Sequence, residues 1–140
     1  MVNKIIAGIS IKLNQVFGED YEIYTSEIKQ GLKEPCFFIK CLDVNQNQVI
    51  GSRYFRSQPF DIHYFPKTEE DSELLETVEK LFDTIEYIAL EDGDLLHGSK
   101  MNGEVVDDVL HFFVNYDLHV LKEKVKDEPM GTLYTKGMVK

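Results

Sequence analysis

Two segments, Phe60-Asp-Ile-His-Tyr-Phe-Pro66 and Leu110-His-Phe-Phe-Val-Asn-Tyr-Asp117, constrain the fold of this chain more than any other feature. Each is dense in bulky side chains and carries polar residues at alternate positions. Successive side chains of a strand point to opposite faces, so each segment predicts a strand with one face in a core and one turned outward. In the second, Leu110, Phe112, Val114, Tyr116, Leu118 and Val120 share a face, and His111, Phe113, Asn115, Asp117 and His119 share the other. Between the two lies a strongly acidic helical pattern. Leu74, Leu75, Val78, Leu81, Phe82 and Ile85 recur on one side, with Glu73, Glu76, Glu79, Asp83 and Glu86 opposite. Together they predict an α+β domain whose sheet keeps a second, partly apolar surface.

The flanking sequence extends this frame. Val2, Ile5, Ile6, Ile9, Leu13, Val16 and Phe17 predict a helix over about 2–17, with Gly18 placed to end it. Tyr21 to Thr25 alternates as a short strand, and Cys36 to Val44 carries apolar residues on both faces, as a central strand does. Asn45-Gln-Asn-Gln48 is expected to be a turn, making a long hairpin with Val49 to Ser57. Pro59 marks a strand start, an edge or a bulge before Phe60. Thr68, three residues before Asp71, suggests a capping-box variant. Asp92-Gly93 and Asn102-Gly103 suit type I′ turns, implying a meander of Tyr87–Glu91, Leu95–Met101 and Glu104–Leu121. Residues 1–125 are expected to form one domain, and 126–140, without periodicity, a flexible tail.

A chain of 140 residues that is 43% hydrophobic can bury roughly 68–70% of its unfolded surface without disulfides or metal. Cys36 and Cys41, an odd number apart on one strand, point to opposite faces and are expected to be free thiols. No apolar run approaches the ~20 residues of a membrane span, and no signal-peptide pattern opens the chain. The net charge of −10 is concentrated: Lys67 to Asp94 holds 11 acidic and 2 basic residues. No basic stretch suits phosphate neutralisation, so nucleic acid is not expected to be gripped.

Candidates for chemistry are few. Asp61 and His63, two apart on one strand face, could form an acid-oriented base pair, but no nucleophile stands in a recognisable elbow. Asp117 and His119 repeat the spacing; His111 and His119, about 27 Å apart at strand rise, are too distant to share a metal. His97, beside a glycine, suggests a loop residue, and Glu91-Asp92-Gly93-Asp94 a solvated hairpin tip rather than a calcium loop.

The chain resembles the phage tail terminator (tail-completion) family of Gram-positive phages and prophages. The resemblance is carried by Ile5-Ile-Ala-Gly-Ile-Ser10, Phe17-Gly-Glu-Asp-Tyr-Glu-Ile-Tyr24, Gln30-Gly-Leu-Lys-Glu-Pro-Cys-Phe-Phe-Ile39 and Arg53-Tyr54. It continues through Phe60–Pro66, Gly93-Asp-Leu95, Lys100-Met-Asn102 and Leu110–Asp117, so it covers residues 2 to about 120.

The resemblance implies two helices on a mixed, largely antiparallel sheet. It also implies a hexameric ring on the end of the tail tube that stops tube polymerisation and receives the head. Expected partners are further copies of the chain, the tail tube protein and head–tail connector proteins. DNA passes through without specific binding, and no membrane, cofactor, metal or catalysis is implied. The protein would occupy the host cytoplasm during assembly and then the virion tail. A closed ring needs two different contact surfaces on each subunit. An edge strand near Pro59 and the arm bearing Arg53, Tyr54, Phe55 and Arg56 could supply one, and the acidic helix, with Glu76, Glu79 and Asp83, the other. The alternatives are a neck or head-completion protein and a small enzyme using Asp61 and His63.

Overall fold

The computed structural model describes residues 1–25, 33–68 and 70–122; the expected tail at 126–140 lies outside them. The elements are α1 (Val2–Phe17), β1 (Glu22–Tyr24), β2 (Cys36–Cys41), β3 (Asn45–Ile50), β4 (Arg53–Ser57), β5 (Pro59–Phe65), α2 (Asp71–Thr84), β6 (Tyr87–Ala89), β7 (Leu95–Val106), β8 (Val109–Tyr116) and β9 (Leu118–Leu121). Six strands form the main sheet in the order β1-β2-β5-β8-β7-β6, with only β1–β2 parallel. A second, smaller sheet has the order β3-β4-β9. This is the expected α+β class, two helices with a mixed, largely antiparallel sheet.

The helices form where apolar spacing puts them. α1 buries Ile5, Gly8, Ile9 and Leu13, and Gly18 follows it at φ 93°. At Gly8 an added Cβ would stand 3.0 Å from the Ala89 carbonyl oxygen, so glycine lets α1 close onto β6. The far end of α1 reaches β2, where Phe17 meets Phe37 edge-on at 4.9 Å. α2 buries Leu74, Thr77, Leu81 and Thr84, but Leu75 is 62% exposed. Leu75 sits about 100° round the helix from Leu74, outside the arc that meets the sheet. The expected Thr68–Asp71 capping box does not form. Instead Glu73 turns back to accept the N–H groups of Lys67 and Thr68 at 2.8 and 2.9 Å, and the Thr68 and Tyr64 hydroxyls.

Three strand expectations are corrected. Asn45–Gln48 is not a turn but the start of β3, whose partner is β4; the reversal falls at Gly51, φ 54°. β2 pairs instead with β1 and β5, so the long hairpin does not exist. Pro59 does open a strand, yet β5 is no edge, because β2 and β8 flank it. Asn102-Gly103 lies within β7, just past a bulge after Ser99. Its glycine serves a close approach: an added Cβ would stand 3.0 Å from Val78 Cγ1 of α2. The two-residue turn is Asp107-Asp108, both at positive φ (52° and 63°), as type I′ requires. Asp92-Gly93 does turn the chain between β6 and β7, but only Gly93 has positive φ, so that turn is not type I′.

The core lies between the helices and one face of the main sheet. Phe37, Ile39, Phe60, Ile62, Tyr64, Leu110, Phe112, Val114 and Tyr116 supply that face, all at most 1% exposed. One antiparallel ribbon ties the two sheets together. It keeps a single register from Tyr64↔Leu110 through Pro59↔Asn115 to Arg56↔Leu118 and Arg53↔Leu121. The ribbon leaves the main sheet at Gln58 and Asp117 and continues outward as an arm, with β3 as its outer strand.

Candidate functional site

The register of β5 against β8 sets His63 directly opposite His111, with Asp61 two residues along the same outer face. The ring centroids of the two histidines are 4.3 Å apart. His63 Nε2 lies 2.9 Å and His111 Nδ1 3.1 Å from the same oxygen, Asp61 Oδ2. An ionised carboxylate only accepts, so both ring nitrogens are N–H donors here. Burial pushes the Asp61 carboxyl up, but hydrogen bonds from His63 and His111 and their attraction outweigh it, and the net lies below its ordinary value. Asp61 is 7% exposed, and its Oδ1 is buried with no hydrogen-bond partner among the described residues. The rings of Phe38, Phe65 and Phe113 pack around the imidazoles.

The Asp61–His63 contact that the two-residue spacing allows is present, and His111 joins it from a strand 50 residues away. Alternation already put all three on outward faces; the missing signal was which strands pair. Asp117 and His119 do not reproduce the arrangement. Asp117 sits at the break between β8 and β9, and His119 packs against Phe55 at 5.3 Å. His97 is not a loop residue: it lies in β7, with Nε2 3.0 Å from Glu86 Oε2.

Beside His63 an open groove of about 420 Å³ runs along β2 and is lined by Ile6, Thr25, Phe38, Lys40 and Cys41. The Cys41 thiol is pushed up by burial and donates to its neighbour's carbonyl, Leu42 O, at 3.4 Å. Cys36 is buried, and its thiol is pushed up to about 11 by burial, then by Glu34 and Glu22. A raised thiol is a poor nucleophile, since the thiolate is the reactive form. His63 Nε2 is turned to Asp61, not to Cys41. The groove therefore lacks an activated nucleophile among the described residues.

The arm and the acidic helix are the other two surfaces. Every residue of β3 is exposed, with Val49 at 56% and Ile50 at 71%. On β4, alternation puts Arg53 and Phe55 on one face and Tyr54 and Arg56 on the other. Arg56 is tied to Gln46 Oε1 through Nε and Nη2 at 3.0 and 2.6 Å, and the Lys122 ammonium lies 4.5 Å over the Tyr54 ring. Arg53 is exposed, as are Glu76, Glu79 and Asp83 on α2. Within one subunit, none of these three acids is paired with either arginine among the described residues. No described helix is long and apolar enough to cross a membrane. A family model described as phage tail terminator protein matches residues 4–128. No curated protein sequence matches the chain.

Proposed function

The chain belongs to the phage tail terminator family, and from that premise we propose that it is a structural subunit that ends the phage tail. Copies of it assemble as a ring, six by the resemblance, on the tip of the tail tube. The ring stops tube polymerisation and offers the surface on which the head and its connector proteins dock. DNA passes through without being gripped, as suits a subunit of net charge −10.

The observation that carries this reading is the arm. Its strands expose apolar and cationic side chains, whereas the body has a complete core of its own. Such a surface suits heterologous contact with a neighbour, the kind that closes into a ring. Arg53, Tyr54, Phe55 and Arg56 form one half of that contact, and Glu76, Glu79 and Asp83 of the next subunit the other. Because Arg53 and Arg56 lie on opposite faces, the acidic helix meets the exposed Arg53, and Arg56 holds the arm's shape through Gln46.

Electron microscopy of particles made without the protein tests the reading. Overlong or ragged tails are expected. Normal tails detached from heads would assign the chain to the neck instead. Mass measurement of the purified protein, alone and with tube protein, tests the ring, and Arg53→Glu is expected to weaken it.

A further inference from the structure

We propose that Asp61, His63 and His111 bind a divalent transition-metal ion of the zinc class, through Asp61 Oδ2, His63 Nε2 and His111 Nδ1. Each residue offers a donor atom that lies within 4.8 Å of those of the other two. The two separations from Asp61 Oδ2, 2.9 and 3.1 Å, come close to the spacing of ligands around a tetrahedral ion, about 3.3 Å for bonds of about 2.0–2.1 Å. All three side chains stand on neighbouring strands inside a six-stranded sheet, so the backbone holds the cluster in place.

Two features go beyond what a hydrogen-bonded cluster needs. Both imidazoles converge on a single carboxylate oxygen, and the second, Oδ1, is buried without a partner among the described residues. An idle buried oxygen costs free energy, and a metal ion gives it a role as a second, longer ligand. Two imidazoles and one carboxylate suit zinc, cobalt or nickel, not magnesium or calcium, which take oxygen shells. The histidine side chains are 22% and 24% exposed, so the ion's remaining position faces outward, towards water or a ligand from another molecule. Ligation needs the lone pairs of His63 Nε2 and His111 Nδ1, so each ring must carry its proton on the other nitrogen: a neutral ring moves its proton there, and an imidazolium releases one proton to water.

Chelator-stripped full-length protein is titrated with Co²⁺ and then with Zn²⁺. One equivalent of Co²⁺ is expected to bind with visible bands of four- or five-coordinate cobalt, to be displaced by Zn²⁺, and Zn²⁺ to raise Tm. His63→Ala, His111→Ala and Asp61→Asn should each weaken binding by at least the roughly 10–100-fold that loss of an outer-shell partner costs. His97→Ala should leave it unchanged. On the unsubstituted protein, ring ¹⁵N resonances provide a test that does not depend on variants folding. His63 Nε2 and His111 Nδ1 are expected to shift with Zn²⁺ to metal-bound values. Unmoved resonances at 1 mM Zn²⁺ (roughly the weak end of measurable affinity), or full-strength binding by a folded His63→Ala/His111→Ala double variant, would overturn the proposal. Because these readouts concern the isolated chain, they neither require nor test the tail reading.

Discussion

The main sheet and the arm are built on the same ribbon in the same register, yet their surroundings differ completely. Along β5 and β8 one face is sealed under two helices, and the core side chains are essentially inaccessible. Past Gln58 and Asp117 the strands continue with no described helix above them, and β3 is exposed at every residue. With β3 exposed throughout, this small sheet lacks the buried hydrophobic face that a sheet of three strands needs to be stable on its own. The arm keeps its shape because its ladder is an extension of the body's. Hydrogen-bond pairing can therefore carry a surface away from the core, while burial decides which end of the ribbon provides stability.

Substitutions should separate the two ends. Phe112→Ala, deep in the body, is expected to cost about 3–5 kcal/mol, read as a large fall in the denaturant midpoint. Gly98→Ala should cost about 1–3 kcal/mol, since an added Cβ would stand 2.7 Å from Val114 Cγ2. Glu73→Gln, also in the body, is expected to cost about 0.5–1.5 kcal/mol, because the amide cannot accept all the donors that converge on the carboxylate and water takes up those it leaves. Ile50→Ser in the arm should change subunit stability by less than about 0.5 kcal/mol and weaken assembly instead. If Ile50→Ser destabilised the isolated subunit as much as Phe112→Ala, the contrast between the two ends would be gone.

Acid offers a finer probe. Asp61 and Glu73 are both held below their ordinary values, 3.8 and 4.5; in each, hydrogen bonds to the carboxylate outweigh the upward push of burial. A carboxyl held low in the folded state stabilises above its ordinary value, and that contribution fades as pH falls through the folded-state value. The unsubstituted protein should lose stability below about pH 4, and Asp61→Asn should show a shallower loss there in denaturant titrations at stepped pH. Equal slopes for the two would mean that the carboxylate is not held by its histidines.

The helices were legible because helical periodicity is local: each apolar residue of α1 and α2 announces its face within a turn or two. Leu75 misled only because it borders the stripe. Strand faces were equally legible, as the alternation of Leu110 to Tyr116 and of Phe60 to Tyr64 shows. Turns were less so. Gly103 resembled a hairpin residue but makes room for Val78, and the true reversal uses two aspartates. Exposed Asn45–Gln48 carries no apolar alternation, so nothing local marked it as a strand.

From its own order of residues the chain determined two helices, the parity of its strands, a free pair of thiols and an acidic helix surface, all set by neighbours a few positions apart. Tertiary structure alone decided that β5 lies between β2 and β8, that His111 faces His63 across 48 residues of chain, and that the ribbon runs on as an arm beyond the two helices. Alternation says which side of a sheet a residue occupies. Partner and register depend on how the whole apolar surface is buried at once, and that is not written in any single segment.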